Sequence, residues 1–157
     1  MTPEFKRAVE ITFEVEGYDK VITDSGGLTK WGISQRAFPN LDIRSLTRED
    51  AQKLYWLNYW QPVRADDLSW PLSMYVYDAA VNQGCDAAAR MLQAAVSAPI
   101  DGILGPQTMK KAKAANPAEL AALFMAKRCQ RYVGTRGFDQ YGYGWFARLF
   151  RVAAKAS

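Results

Sequence analysis

The sequence predicts a mainly α-helical fold that carries one small β-hairpin near residues 18–33. Helix-opening signals recur along the chain, and the apolar residues of the first segment repeat at helical spacing. Turn and strand signals gather in one place only.

Thr2 before Pro3 marks the start of the first helix. Threonine can cap free N–H groups, and proline fits the first helical turn. The hairpin is read from Tyr18, Val21 and Ile22, a Ser25-Gly26-Gly27 turn, then Leu28, Trp31 and Ile33. Thr47-Arg48-Glu49-Asp50 resembles a capping box and predicts a helix to about Tyr59. Ser73 opens another helix, which Gly84 stops. An Ala-rich helix follows over 86–96, and Gly105-Pro106 starts a short one. Asn116-Pro117-Ala118-Glu119 predicts a helix to about Val133, and a basic amphipathic helix runs from about Tyr143 to Lys155. The Asp101-Gly102 turn marks a soft boundary between two helical halves.

Composition limits the chemistry. The 157 residues contain no histidine. That excludes Ser-His-Asp and Cys-His catalysis and argues against a zinc hydrolase. Hydrolysis by this chain has to run on carboxylates, hydroxyls or lysines. The net charge of +4 favours anionic partners mildly. Cys85 and Cys129 lack CxxC spacing and read as free thiols or as a disulfide formed after export.

One carboxylate falls on an unexpected face. On a helical wheel at roughly 100° per residue, Phe5, Val9 and Phe13 make an apolar stripe, and Glu16 lands within it. Glu10 and Glu14 fall on the polar side. A glutamate on the stripe is costly unless it is paired or neutral, and the helix C-terminal dipole also disfavours its charge. Both effects favour a carboxyl that keeps its proton, as a glycosidic leaving oxygen requires. If the helix stops at Val15, Glu16 instead turns out to solvent; the sequence leaves both readings open. Asp24 and Thr29 could face Glu16 across a cleft and position a water, or Asp24 could simply order a turn.

Glu16-Gly17-Tyr18, followed by Asp24-Ser25-Gly26-Gly27-Leu28-Thr29-Lys30-Trp31-Gly32-Ile33-Ser34, resembles the signature of glycoside hydrolase family 108. Tyr55 with Asn58-Tyr59-Trp60-Gln61-Pro62, and Tyr77-Asp78-Ala79-Ala80-Val81-Asn82-Gln83-Gly84, resemble its next two motifs. Val15 stands where the family has His, and Gly17 stands for a doubled glycine. In the second half Leu92-Gln93, Asp101-Gly102, Gly105-Pro106, Arg128, Gly144-Trp145 and Arg148 resemble a peptidoglycan-binding region.

The resemblance implies a lysozyme-like helical fold. It implies a catalytic region over 1–84 and a helical peptidoglycan-binding region over 85–157 packed on it. The expected activity is that of an N-acetylmuramidase cutting the β-1,4 bond between N-acetylmuramic acid and N-acetylglucosamine. Glu16 would be the catalytic acid, with Asp24 and Thr29 assisting. Tyr59 and Trp60 would stack on sugar rings or pack the core. Asp78 and Asn82, four apart on one helix, would bind N-acetyl or hydroxyl groups or brace the Glu16 loop. No cofactor and no metal are expected, nor a nucleic-acid partner, and the chain is expected to be monomeric. Residues 143–155 could also touch anionic membrane.

The N-terminal residues lack an apolar run. The expectation drawn from this is synthesis in the cytoplasm and action on the wall after release, as for a phage or prophage endolysin. A muramidase serving a secretion system and a non-catalytic peptidoglycan-binding module are the rival expectations.

Overall fold

The computed structural model describes residues 1–16, 21–24 and 27–157, without the side chains of Glu16 and Asp24. The Tyr18 and Ser25-Gly26 parts of the expected hairpin lie outside the described residues. Among the described residues, seven α-helices and a three-stranded sheet make up the fold, which is mainly α as expected.

Helix α1 spans Pro3–Glu16. The Phe5 N–H donates to Thr2 Oγ1 at 3.4 Å, as the capping signal predicts. Phe5, Ala8, Val9, Ile11 and Phe13 are buried. On the polar side Glu10 pairs with Arg48, and Glu14 pairs with Lys155 at 2.6 Å.

Strands β1 (Ile22–Asp24), β2 (Gly27–Lys30) and β3 (Ile33–Ser34) form an antiparallel sheet in that order. The third strand returns through Trp31-Gly32, whose φ values of 53° and 70° are both positive. Two-residue hairpin turns need this, and asparagine-glycine usually supplies it. Trp31 at the first position hid the turn, because its ring reads as a strand residue. Its conformation is held by its surroundings. Its ring lies 5.4 Å from that of Phe13, and its carbonyl accepts from the Tyr55 hydroxyl at 3.2 Å.

Helix α2 (Arg48–Tyr55) opens with the full capping box between Thr47 and Asp50. The expected helix to Tyr59 changes winding at Trp56. Residues Trp56–Trp60 are π-helical, with Gln61 N–H donating to Trp56 O at 3.0 Å. This wider turn brings both Trp56 and Trp60 edge-on to Phe5, at 5.0 and 5.4 Å.

Helix α3 (Leu72–Gln83) is the centre of the molecule, buried without interruption from Leu72 to Ala80. Such all-round burial removes the usual amphipathic signature. Ser73 does not cap α3; it is buried in the first turn, and Pro71 precedes the helix. Gly84, at φ 91°, ends α3 and starts α4 (Cys85–Ala95). Helix α5 spans Pro106–Ala114. Helix α6 spans Pro117–Val133, and Asn116 Oδ1 accepts from the N–H groups of Ala118 and Glu119.

Helix α7 spans Phe138–Ala156, starting five residues before the expected Tyr143. Gly142 and Gly144 weaken helix propensity there and masked its first turn. Gly142 is buried where a Cβ would come within 2.6 Å of the Phe138 ring. One apolar cluster joins Phe5, Trp60 and Val76 to Leu92, Leu120, Phe124 and Val152. Cys85 and Cys129 are both free.

Trp60 is fully buried, so truncation leaves a large cavity among Phe5, Trp56 and Tyr77. Trp60→Ala should cost about 3–5 kcal/mol, measured as a lower urea midpoint with an unchanged denaturant slope.

Candidate active site

The candidate site lies where α1, the sheet, the π-helical turn and the end of α3 are joined in sequence and space. Glu16 is the last residue of α1, so its backbone sits at the end where carbonyl groups lack helical partners. Asp24 closes β1 opposite Gly27. Both carboxyl groups lie outside the described residues. Thr29 is half-buried in β2, between Ile22 on one side and Ser34 on the other.

An aromatic group joins α1, the β2–β3 turn and α2. Phe13, Trp31 and Tyr55 form one group, and the Arg48 guanidinium lies 5.4 Å from the Phe13 ring. Tyr59 is half-buried, with its ring 5.6 Å from that of Tyr55. Burial raises its hydroxyl above the ordinary value, and nearby Cys85 adds to this. Tyr59 thus keeps a partly open face beside that group. Trp60 does not. It has no exposed surface, and its indole N–H donates to Asp66 at 2.9 Å. A sugar ring cannot stack on it, so its role is to pack the core.

Asp78 and Asn82 do share one face of α3, but that face meets α6. Asp78 is completely buried between two arginines. Its Oδ2 accepts from Arg128 Nη2, and its Oδ1 from Arg148 Nη2, each at 2.8 Å. Arg128 Nε also donates to Gln83 at 3.2 Å. Asp78 is therefore a brace that fastens α6 and α7 to α3, and it cannot bind substrate hydroxyls. Burial pushes its carboxyl up, opposed by the Arg128 guanidinium. Burial pulls the Arg148 guanidinium down to about 10, with Arg151 adding to the effect. Asn82 is exposed one turn further on and accepts a hydrogen bond from the Tyr132 hydroxyl. Tyr132 in turn stacks on Trp145, ring centres 5.3 Å apart.

Sequence reasoning assigned no partner to Asp78. The available signal was a carboxylate within an otherwise apolar helix, together with arginines on two later amphipathic helices.

Residues 9–84 match the model of glycosyl hydrolase 108. That segment contains Glu16, the sheet, Tyr59 and Asn82. The solved structure of Brucella abortus SagA matches with a TM-score of 0.85 and 28% identity, over 98% of this chain and 93% of that one. No curated protein matches the sequence. The fold and the matched segment are similar to those of a lysozyme-like glycosyl hydrolase. Over residues 9–84 the chain is similar to the glycosyl hydrolase 108 family.

Removing one member of a buried charge network strands the others. Asp78→Ala should therefore cost about 3–5 kcal/mol, read in urea denaturation. At a temperature where the variant remains folded, its affinity for a chitin-type oligosaccharide should equal that of the parent.

Proposed function

We propose that the chain is an N-acetylmuramidase that hydrolyses the β-1,4 bond between N-acetylmuramic acid and N-acetylglucosamine. The observation that carries this reading is the position of Glu16. It ends α1 directly before the sheet, inside the segment matched to glycosyl hydrolase 108. The negative end of a helix dipole disfavours an ionised carboxyl, which is the bias a proton donor needs.

In this mechanism Glu16 gives its proton to the bridging oxygen as the bond to the sugar breaks. Asp24 steadies the positive charge that develops on the ring or orients the water, and Thr29 holds that water or Glu16. Tyr59 offers its open face to a sugar ring, and Asn82 offers its amide to an N-acetyl or hydroxyl group. No step needs a cofactor or a metal.

The division into a catalytic region over 1–84 and a peptidoglycan-binding region over 85–157 belongs to the same proposal. So does the biological setting: a monomeric phage or prophage endolysin, released from the cytoplasm to lyse the host wall. Tyr143 and Phe150 on α7 are 90% and 65% exposed, and Arg151 lies beside Phe150 in sequence. These residues support a contact with anionic membrane during that release.

Mass spectrometry of digested peptidoglycan tests the chemistry. The expected products end in reducing N-acetylmuramic acid. Glu16→Gln should slow their release by about 10²–10⁴-fold. An undiminished rate rejects Glu16 as the acid, and binding of glycan without any reducing-end release rejects the enzyme reading. Thr29→Ala should leave stability nearly unchanged and lower the rate of bond cleavage.

A further inference from the structure

An open groove of about 530 Å³ lies between α4 and α6. It is lined by the cations Arg90, Lys127 and Arg131, by polar Gln130 and Thr135, and by Met91. No acidic residue lines it among the described residues. The nearest acid in sequence, Asp86, is occupied by Arg90 Nε at 3.0 and 2.9 Å. Arg90 is further tied to the Ile100 carbonyl at 3.0 Å. With Nη2 also donating to the Asp101 carbonyl at 3.3 Å, its charge and its nitrogens are already engaged on the α4 wall.

The α6 wall differs. Lys127 and Arg131 are four residues apart on one helical face and have no carboxylate partner among the described residues. Like charges at this spacing oppose helix stability. An anion held against the α6 wall is the compensating arrangement. The remaining lining suits a particular kind of anion. Ala87, Ala94 and Gly134 keep the walls low, and Met91 offers an adaptable apolar surface for methyl groups. Gln130 and Thr135 can hydrogen-bond to amides.

The groove also has a position relative to the cleft. Its lining includes Ala87, three residues beyond Gly84, and Thr135, three beyond Tyr132. One end therefore lies about one helical turn from the Asn82–Tyr132 hydrogen bond at the end of α3.

We propose that the α4–α6 groove is a subsite for the stem peptide of peptidoglycan, binding its free carboxylates through Lys127 and Arg131. This rests on the reading of the chain as a peptidoglycan hydrolase. A stem peptide is rich in alanine methyls and backbone amides and carries several carboxylates, which matches the lining in charge and in size. The subsite holds a glycan strand by its side branch while the cleft engages the sugars.

The test uses the full chain and the Lys127→Glu/Arg131→Glu variant. The milder Lys127→Gln/Arg131→Gln pair guards against misfolding, and Lys110→Glu on α5 serves as a charge control. Calorimetry would measure binding of a free alanine- and glutamate-containing stem tetrapeptide. Digestion would be followed on peptidoglycan with its peptides intact and on glycan strands stripped of them. The double variants should bind the tetrapeptide about tenfold more weakly or worse, and a carboxamide-capped tetrapeptide should bind the parent equally poorly. The rate on intact peptidoglycan should fall through KM, with the rate on stripped strands unchanged. Lys110→Glu should behave as the parent.

Equal tetrapeptide binding by parent and double variants overturns the subsite. So does an equal loss on intact and stripped strands, or a loss confined to binding of anionic lipid vesicles. If the parent releases no reducing ends from either substrate, the muramidase reading fails instead, and the tetrapeptide titration still decides the subsite.

Discussion

The whole arrangement depends on one buried carboxylate. Asp78 sits in the middle of the most enclosed helix and holds a guanidinium from α6 on one oxygen and another from α7 on the other. Apolar packing alone has no direction and would allow these helices to slide or rotate. The two short ion pairs fix their height and rotation. Taking three charges out of water is expensive, so the arrangement is tolerable only because each charge is used by a neighbour. Through this contact the last two helices hold the helix that carries Asn82.

The brace has consequences at the surface. With Arg128 fixed against Asp78, the next turn of α6 sets Tyr132 beside Asn82, and α7 sets Trp145 on the Tyr132 ring. The same fixed rotation of α6 turns Lys127 and Arg131 toward α4 and makes a cationic groove. A core interaction thereby decides which side chains of one helix stay inside and which remain available for a ligand. On the other side of α3, Phe5, Trp60 and Tyr77 meet edge to face, and this aromatic packing carries the π-helical turn that presents Tyr59. A wider helical turn is an irregularity, and such turns often occur at functional sites.

Much of the fold could be read locally. Thr47, Gly84, Gly105-Pro106 and Asn116 begin or stop helices through hydrogen bonds or backbone angles that involve only nearby residues. The first helix was legible to its apolar face. Errors arose where a distant partner overrode the local preference. Trp31 takes a positive φ because Phe13 and Tyr55 hold it, and Gly142 lies in a helix because the Phe138 ring occupies the space beside it. Ser73 looked like a cap, but burial of the whole of α3 placed it inside the helix.

The sequence by itself determined the helical class, the exclusion of histidine chemistry, and the ordered motifs that lead to glycosyl hydrolase 108. These rest on residue type and short spacing, which survive without coordinates. Only the tertiary structure decided which polar and aromatic residues of those motifs are accessible. Tyr59 and Trp60 are adjacent in sequence, yet one keeps an open face and the other has none. Asp78 and Asn82 share a helix face, yet one is sealed by arginines and the other reaches the surface. Exposure is set by what packs on top of a residue, and here the covering atoms come from helices 50 to 70 residues further along the chain.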